Sequence, residues 1–448
     1  MRMVRHWALH CILTTVMLCV WLPVGSGCRS AQTDEPPPTP TDVPAIVETI
    51  APTPAVTATP LPGAPQTITI WAPELLAPLD PDDSAVILEQ QILAFEATHP
   101  GLTIEVLPKK TEGKGGLADL ILSASTVAPD VIPDLIAIDM DRLSDMARQD
   151  LLVPLDGLIE PDLVQDLYSF AVQAGTVDGQ LVGVPFEVSI EHALYNTAKI
   201  AVPPASWEEV FASGATYIFP TLGQDEMVND AFLIQYLSTG AELLDPNGEP
   251  SLDQQALVDV LTFYRDGIEN GAILTDVLEY DSVRSGWRKY LQAEVVLSNM
   301  TSNLYLEGRG LLKVSKASWI PTRDGETPVT LARGTAWAMT THAPYRHELT
   351  AKLLSWLLNP SNMATWSLAA ERLPTRRAAF EQMPRDDDEY VGFVYGQLEY
   401  AIAYPTTEAH KRVYRAMQQA VDAVLREGET PVAAAAGVLQ VLGQEVGP

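Results

Sequence analysis

The sequence predicts an α/β fold, and three observations at the start of its globular part support this prediction. A β-rich run covers residues 67–71, and the helical pattern at 84–98 then repeats apolar residues every three or four positions. A second β-rich run covers 102–108, after a helix stop at 99–101. Strand, helix and strand in this order form a β-α-β unit, in which the strands lie parallel and the helix covers one sheet face.

The same alternation of strands and helices continues toward the C-terminus. Residues 134–138 are an aspartate followed by four apolar residues, and such an apolar run is typical of a buried parallel strand. Another strand is predicted at 180–185, and we expect Pro185 to end it, since proline cannot donate a ladder hydrogen bond. Two more strand candidates are 294–298 and 335–339. Helical patterns lie at 142–148, 206–213, 229–239, 253–270, 347–358 and 406–426.

Composition describes an acidic globular chain. Its 448 residues are enough for two or three domain-sized units. There are 58 acidic and 28 basic residues, so the formal net charge is -30. A surface of this charge repels phosphate backbones, and we therefore expect no nucleic acid partner.

The three cysteines, Cys11, Cys19 and Cys28, all lie within the first 28 residues. The globular part that follows therefore has no thiol. This excludes an internal disulfide, a thiol nucleophile and a cysteine-ligated zinc site from that part of the chain.

The N-terminus has the three parts of a secretory signal. Arg2 and Arg5 precede an apolar run at 7–24, and the small residues 25–27 come directly before Cys28. Residues 1–27 are therefore predicted to be a signal peptide. An uncleaved membrane anchor is the alternative, because the apolar run is near the lower limit for a bilayer span.

The tripeptide that ends in Cys28 resembles the end of a bacterial lipobox, although Gly25 stands where lipoboxes usually carry leucine. We therefore expect Cys28 to be lipidated and to anchor the protein to the cell membrane through its acyl chains. Residues 29–66 contain ten prolines and seven threonines. This composition cannot bury enough apolar surface to order itself, so 28–66 is predicted to be the lipidated cysteine and a disordered tether. A wall-spanning or glycosylated stalk is the alternative.

Local enzyme signatures are absent from the sequence. It has no G-x-S-x-G, no H-E-x-x-H, no P-loop and no G-x-G-x-x-G. The acidic run at 386–389 lacks the alternating ligands and central glycine of a calcium loop, and we expect a solvated loop there. No catalytic residue, cofactor or metal is therefore predicted. A triad or carboxylate pair built from residues distant in sequence stays open, because geometry alone sets such groups.

Several loose motifs follow one another along the globular part. They are Phe95-Glu-Ala-Thr-His-Pro100, Pro133-Asp-Leu-Ile136, Gly183-Val-Pro185, Leu194-Tyr-Asn196, Pro204-Ala-Ser-Trp-Glu-Glu209, Arg333-Gly334 and Leu373-Pro-Thr-Arg376. In order and spacing they resemble the extracellular solute-binding proteins of ABC importers, family 1, the group that includes maltose-binding protein. The resemblance extends from Thr67 to about Phe380.

This resemblance implies a periplasmic-binding-protein-like clamp, with two α/β lobes that are discontinuous in sequence and close over a ligand. The chain would cross between lobes near 186–188, 298–300 and 342–345. The implied lobes are as follows: lobe 1 is 67–185 plus 299–342, and lobe 2 is 187–297 plus 345–448. Closure of such a multi-crossing hinge is favoured only by a ligand that contacts both lobes.

Nine side chains are candidate ligand contacts: Trp71, Asp139, Asp141, Arg142, Glu187, Tyr195, Trp287, Asn299 and Trp337. Trp71 ends a predicted strand, and Asp139 and Asp141 follow another, at the edge where α/β sheets place ligands. The resemblance is the main support for Trp71, and it supports Asp141, Arg142 and Tyr195 by position. The alternatives are core packing for Trp71, a solvated helix start for Asp141 and Arg142, and packing for Tyr195.

The expected function is therefore capture of a small polar solute, a sugar or oligosaccharide, outside the cytoplasm. The expected partners are the permease subunits of an ABC importer and the membrane, with the protein itself a monomer. Residues 299–304 contain no aromatic side chain, which disfavours a maltose-like pocket. A sensor that presents its solute to a signalling receptor and a surface-anchored glycan hydrolase are the alternative functions.

Overall fold

The computed structural model describes residues 66–77, 82–111, 115–340, 344–384 and 388–444. All of them belong to one compact unit. The predicted signal peptide at 1–27, the lipidation site Cys28 and the predicted tether up to residue 65 lie outside the described residues.

The strands within these ranges are numbered in chain order. They are β1 (Gln66–Ala72), β2 (Leu102–Pro108), β3 (Leu135–Asp139), β4 (Thr176–Val177), β5 (Gln180–Leu181), β6 (Val184–Asn196), β7 (Tyr217–Ile218), β8 (Leu297–Thr301), β9 (Ser315–Ser318), β10 (Thr330–Met339), β11 (Leu373–Pro374) and β12 (Ala401–Ala403). The helices are α1 (Asp83–Thr98), α2 (Leu117–Val127), α3 (Leu143–Ala147), α4 (Pro161–Gln165), α5 (Ser169–Gly175), α6 (Trp207–Ser213), α7 (Asp230–Leu237), α8 (Gln254–Asn270), α9 (Val283–Leu291), α10 (Ser302–Gly308), α11 (Pro344–Leu357), α12 (Pro360–Ala369), α13 (Arg377–Phe380), α14 (Glu389–Gln397), α15 (Glu408–Leu425) and α16 (Pro431–Val441).

The predicted β-α-β unit at the start of the body is confirmed. Strands β1 and β2 are parallel, with Gln66 opposite Leu102 and Ala72 opposite Pro108. Helix α1 connects them and buries Leu88, Ile92 and Phe95, the residues that the three-four spacing selects. Strand β3 joins β1 on its other side, also in parallel.

Four predicted helices begin close to their expected first residues, and each of them has a capping side chain at its start. The side chains of Ser206, Asn229, Asp253 and Thr407 each accept a hydrogen bond from a backbone N–H in the first turn of α6, α7, α8 and α15. These contacts satisfy amide groups that a helix leaves unpaired at its start. The predicted helices at 206–213, 229–239, 253–270 and 406–426 are therefore found within a few residues of their expected bounds.

The expectation that a strand ends at Pro185 is wrong. Strand β6 begins at Val184 and continues for 13 residues. The pairing of β6 with β10 shifts at this point, because Thr335 lies opposite Glu187 while the next residue, Ala336, lies opposite Pro185. Phe186 is thus the extra residue of a β-bulge, and a bulge is one of the few sheet positions where proline is tolerated.

Strand β6 joins two groups of strands. Its first half, up to Ile190, pairs with β10, which continues the sheet to β3, β1 and β2. Its second half, from Glu191, pairs with β8 and β9, and β8 continues to β7. The sequence prediction placed 299–342 in the same lobe as the first strands. The observed pairing differs, because β9 lies within 299–342 and is bonded to the second half of β6.

The helices after residue 344 also differ from the expected grouping. Helices α11 and α12 pack against α1, beside the strands that begin the chain's sheet. Helices α15 and α16 instead pack against α8 and against each other. The residues 345–448 are therefore divided between the two groups of strands. Across the described ranges, no helix combines the length and apolar character needed to cross a bilayer.

Candidate ligand cleft

A wide cleft lies where the two groups of strands meet along β6. Its lining, called here the central cleft, consists of Asp141, Arg142, Glu191, Pro220, Gln224, Asp225, Met227, Val228, Asn229, Asp230, Asp281, Ser282, Val283, Thr301, Arg333 and Tyr404. Counted with the solvent at its mouth, its volume is about 1110 Å³. These dimensions suit a solute larger than a single small ion.

Arg333 is the centre of a charged network in this cleft. Its guanidinium donates two hydrogen bonds to Asp230, from Nε to Oδ2 at 2.6 Å and from Nη2 to Oδ1 at 2.7 Å. Its Nη1 lies 3.6 Å from Oδ2 of Asp141, and its guanidinium carbon lies 3.5 Å from the ring centre of Tyr404. Burial lowers the pKa of Arg333, but the charge and hydrogen bonds of Asp230 outweigh burial and raise it above its ordinary value.

This network joins the first group of strands to helix α7, which packs against α8 and also contacts β10. Arg333 lies on β10 and Asp141 follows β3, whereas Asp230 is the first residue of α7. A bidentate arginine–carboxylate pair fixes both direction and distance. Arg333 therefore sets the spacing across one part of the central cleft.

Glu191 lies in the wall of the cleft and is 8% exposed. Its Oε2 accepts a hydrogen bond of 3.3 Å from Nδ2 of Asn299, and Oδ1 of Asn299 accepts one from the hydroxyl of Tyr217. Burial, together with the nearby charge of Asp230, raises the pKa of Glu191 to about 8. The raised pKa favours the protonated form of Glu191, and a protonated carboxyl both donates and accepts hydrogen bonds.

The raised pKa of Glu191 predicts a pH-dependent stability. The folded state holds this proton up to about pH 8, while the unfolded chain releases it near the ordinary value of 4.5, so stability falls as the pH rises through this window. Burial lowers the pKa of His192 to about 4. This shift reduces stability only below about pH 6.5, where the unfolded chain binds the proton more readily than the folded state. From about pH 6.5 to about pH 8.5 we expect a falling Tm in the parent protein and a flatter profile in Glu191→Gln. Parallel Tm profiles in a thermal melt series would contradict this assignment.

The structure brings two of the nine predicted contacts into the central cleft. They are Asp141 and Arg142, whose side chains lie 3.9 Å apart in the turn that follows β3. Asp139 is the last residue of β3, opposite Thr335 of β10, and is not among the residues that line the cleft.

Three predicted contacts are buried in the body beside the first group of strands. Trp71 is 7% exposed, and the ammonium group of Lys109 lies 4.6 Å from its ring centre. Trp337 is 2% exposed, and its ring stacks on Phe186 at 5.1 Å between ring centres. Glu187 is also buried, where its Oε1 accepts a hydrogen bond of 2.7 Å from the hydroxyl of Thr335. Burial raises the pKa of Glu187.

The last three predicted contacts lie beside the second group of strands. Tyr195 is buried on β6 between Leu297 and Lys316. Trp287 is half-buried on α9, close to Gly308. Asn299 is 1% exposed and donates a hydrogen bond to Glu191, but it does not itself line the cleft. The binding roles of the nine residues stay predictions.

The sequence interpretation missed Asp230, Arg333 and Tyr404 as site residues. A signal existed for Arg333, since Arg333-Gly334 was one of the family-like motifs. Glu191 had a signal as well, because alternation along an unbroken β6 places Glu187 and Glu191 on one face. Tyr404 has no local signal that points to a cleft.

The part of the chain that the structure describes contains no group of three or more His, Cys, Asp or Glu side chains that could hold a metal ion. This holds for the central cleft as well. Asp386 and Asp387 of the acidic run lie outside the described residues. Asp388 caps α14 and pairs with Arg309 at 2.6 Å, and Glu389 pairs with Lys316 at 2.7 Å.

Comparisons with solved structures agree on the fold. The chain matches the cyclic alpha-maltosyl-1,6-maltose binding protein from Arthrobacter globiformis with a TM-score of 0.71 and 19% identity, over 85% of this chain and 98% of that one. It matches the sugar-binding protein MalE from Xanthomonas citri with a TM-score of 0.69 and 19% identity, over 84% and 98%. The predicted two-lobed α/β clamp is confirmed.

Sequence comparison also identifies a relative and a family. The chain is 22% identical over 312 residues to the maltotriose-binding protein of Pyrococcus abyssi (strain GE5 / Orsay), and the match spans 66% of each chain. The family model described as bacterial extracellular solute-binding protein matches residues 90–390. The resemblance inferred from the motifs is confirmed at this level. Proteins of this family bind solutes outside the cytoplasm and are not enzymes. The chain therefore belongs to the bacterial extracellular solute-binding proteins.

Proposed function

We propose that this protein captures a sugar of the maltodextrin class in the central cleft and delivers it to an ABC importer. One observation carries the proposal. Nδ2 of Asn229 and Oδ1 of Asp141 line the same cleft, and both are buried without a hydrogen-bond partner among the described residues. A hydroxyl group both donates and accepts, so a polyhydroxylated solute satisfies both atoms. The names of the relatives, which bind maltose and maltotriose, support this class of solute.

The proposal assigns the central cleft to the boundary between two lobes. The first lobe is built on β1, β2, β3, β10 and the first half of β6, with α1, α11 and α12 packed on it. The second is built on the second half of β6 with β7, β8 and β9, and it includes α7, α8, α15 and α16. A sugar that bonds Asp141 of the first lobe and Asn229 of the second stabilises the closed arrangement.

Polar contacts dominate the proposed binding mode. Of the nine residues predicted from the sequence, we propose Asp141 and Arg142 as direct contacts and Asn299 as the support of Glu191. The ring of Tyr404 already stacks on the guanidinium of Arg333, so that face is not free for a sugar. Residues 299–304 offer no aromatic side chain in its place. Hydrogen bonds to hydroxyl groups therefore supply the specificity.

A calorimetric titration with maltotriose tests the proposal. We expect saturable binding by the purified protein, weakened by Asn229→Ala because the amide donor is lost. A matched control is Asn247→Ala, which removes an exposed asparagine that bonds Asp245 on a surface turn and does not line the cleft. If no malto-oligosaccharide binds or raises the Tm, the proposed solute class is wrong. Loss of the protein is also expected to abolish maltotriose uptake, and undiminished uptake would contradict the importer role.

We also propose that Cys28 carries the lipid that holds the protein at the outer face of the cell membrane. The signal layout of 1–27 and the proline-rich segment after Cys28 support this. Fractionation of cells that produce Cys28→Ser is expected to find the protein in the soluble fraction. Retention in the membrane fraction would favour the apolar run at 7–24 as an uncleaved anchor.

A further inference from the structure

The lining of the central cleft is predominantly acidic. Five carboxyl side chains and two guanidinium side chains line it: Asp141, Glu191, Asp225, Asp230, Asp281, Arg142 and Arg333. Because the raised pKa of Glu191 favours its uncharged form, the charged groups are four aspartates and two arginines. This local excess of acids adds to a chain whose formal net charge is -30. A cleft with one dominant sign of charge raises the local concentration of the opposite sign and repels its own.

Both guanidinium groups in the cleft lie beside carboxylates of the protein. Arg333 donates two hydrogen bonds to Asp230 and lies 3.6 Å from Asp141. The flat face of its guanidinium stacks on the ring of Tyr404. The side chain of Arg142 is 53% exposed and lies 3.9 Å from Asp141, which is too long for a hydrogen bond. A carboxylate or phosphate on the solute would therefore meet one guanidinium that Asp230 already binds and a second whose charge Asp141 partly offsets.

Three acids in the lining have no basic partner within the described part of the chain. Asp225 is exposed and has no ion pair there. Asp281 accepts hydrogen bonds from the hydroxyls of Ser282 and Ser285, which lower its pKa and keep it ionised. Glu191 is 8% exposed and is hydrogen-bonded by Asn299 through Oε2, while its other oxygen, Oε1, is left for the cleft.

We infer that the central cleft selects its solute by charge, accepting uncharged or ammonium-bearing sugars and rejecting sugars that carry a carboxylate, phosphate or sulfate. The inference rests on the proposed function, since it concerns the solute class of the same cleft. A carboxylate in the cleft meets the unpaired charges of Asp225 and Asp281. An ammonium group gains from the same charges and finds acceptors on Asp141 and Glu191.

Three probes of matched size test this inference by calorimetric titration. They are maltotriose, maltotrionic acid, which has a carboxylate at the oxidised end, and 1-amino-1-deoxymaltotriitol, which has an ammonium group there. At low salt we expect the acid to bind at least about tenfold more weakly than maltotriose, and the amine to bind at least as tightly. The gap is expected to narrow at high salt, because salt screens charges at the cleft mouth.

A pair of charge variants separates local from overall repulsion. Asp225→Asn with Asp281→Asn is expected to reduce the discrimination against maltotrionic acid at least threefold. The control, Glu89→Gln with Glu105→Gln, removes the same charge from exposed positions on α1 and β2 outside the cleft, and the discrimination should persist.

The outcomes distinguish this inference from the proposed function. Equal binding of all three probes, or tighter binding of the acid, would overturn charge selection and leave sugar binding intact. Binding of none would count against both. Equal loss of discrimination in both double variants would assign the effect to the overall charge and overturn the assignment to the cleft.

Discussion

Replacement of Trp337 by alanine is expected to lower the free energy of unfolding by about 3–5 kcal/mol and to leave solute affinity unchanged. Trp337 is 2% exposed on β10, and its ring stacks on Phe186, which also contacts Trp366 edge-on at 5.2 Å. Truncation leaves a cavity between this sheet and α12, and the surrounding side chains fill it only in part. Denaturant unfolding and a maltotriose titration measure the two quantities.

A control for this prediction is Trp287→Ala, since Trp287 is only half-buried on α9 and should lose less than half as much stability. If Trp337→Ala does not fold, Trp337→Phe keeps most of the contact area and allows the same comparison. Weaker maltotriose binding at unchanged stability would instead restore Trp337 as a ligand contact, as the sequence interpretation had it.

Replacement of Arg333 by methionine is expected to weaken maltotriose binding by at least about 100-fold, which corresponds to ~2.7 kcal/mol. The substitution keeps a long side chain but removes the charge that holds Asp230 by two hydrogen bonds and lies 3.6 Å from Asp141. The two carboxylates then repel each other across the central cleft, and the spacing that the proposed binding mode requires is lost. Calorimetric titration measures the affinity, and small-angle scattering measures whether the cleft opens.

The matched control for Arg333 is Arg323→Met. Both arginine side chains are 41% exposed and both pair with an aspartate, but Arg323 pairs with Asp259 at 3.3 Å outside the cleft. We expect Arg323→Met to leave the affinity within twofold, because exposed ion pairs contribute little. Equal effects of the two substitutions would contradict the role given to Arg333.

Local patterns predicted the elements whose signals lie within a few residues. The apolar spacing of Leu88, Ile92 and Phe95 located α1, and the helical patterns at 206–213 and 253–270 located α6 and α8. Pro185 was misread, because a bulge depends on the partner strand β10, which is more than a hundred residues away in sequence. Short helices such as α4 and α13 were not predicted, since four or five residues give no periodicity to read.

The candidate site was predictable only in part. Asp141 follows a buried strand, and the family resemblance supported Asp141 and Arg142 by position. Three tryptophans were among the predicted contacts, yet Trp71 and Trp337 are buried. Burial of a tryptophan depends on the elements packed over it, and the local sequence does not contain that information.

By itself the sequence determined the α/β class, the family and the acidic charge, because each depends on composition, on short-range periodicity or on motifs read in order. Only the tertiary structure decided which polar groups share a cleft. Asp230, Arg333 and Tyr404 are separated by 71 residues or more along the chain, and strand pairing and helix packing bring them together. The physical reason is that a binding site is a set of distances between groups, and those distances are fixed only when the whole chain buries its apolar surface at once.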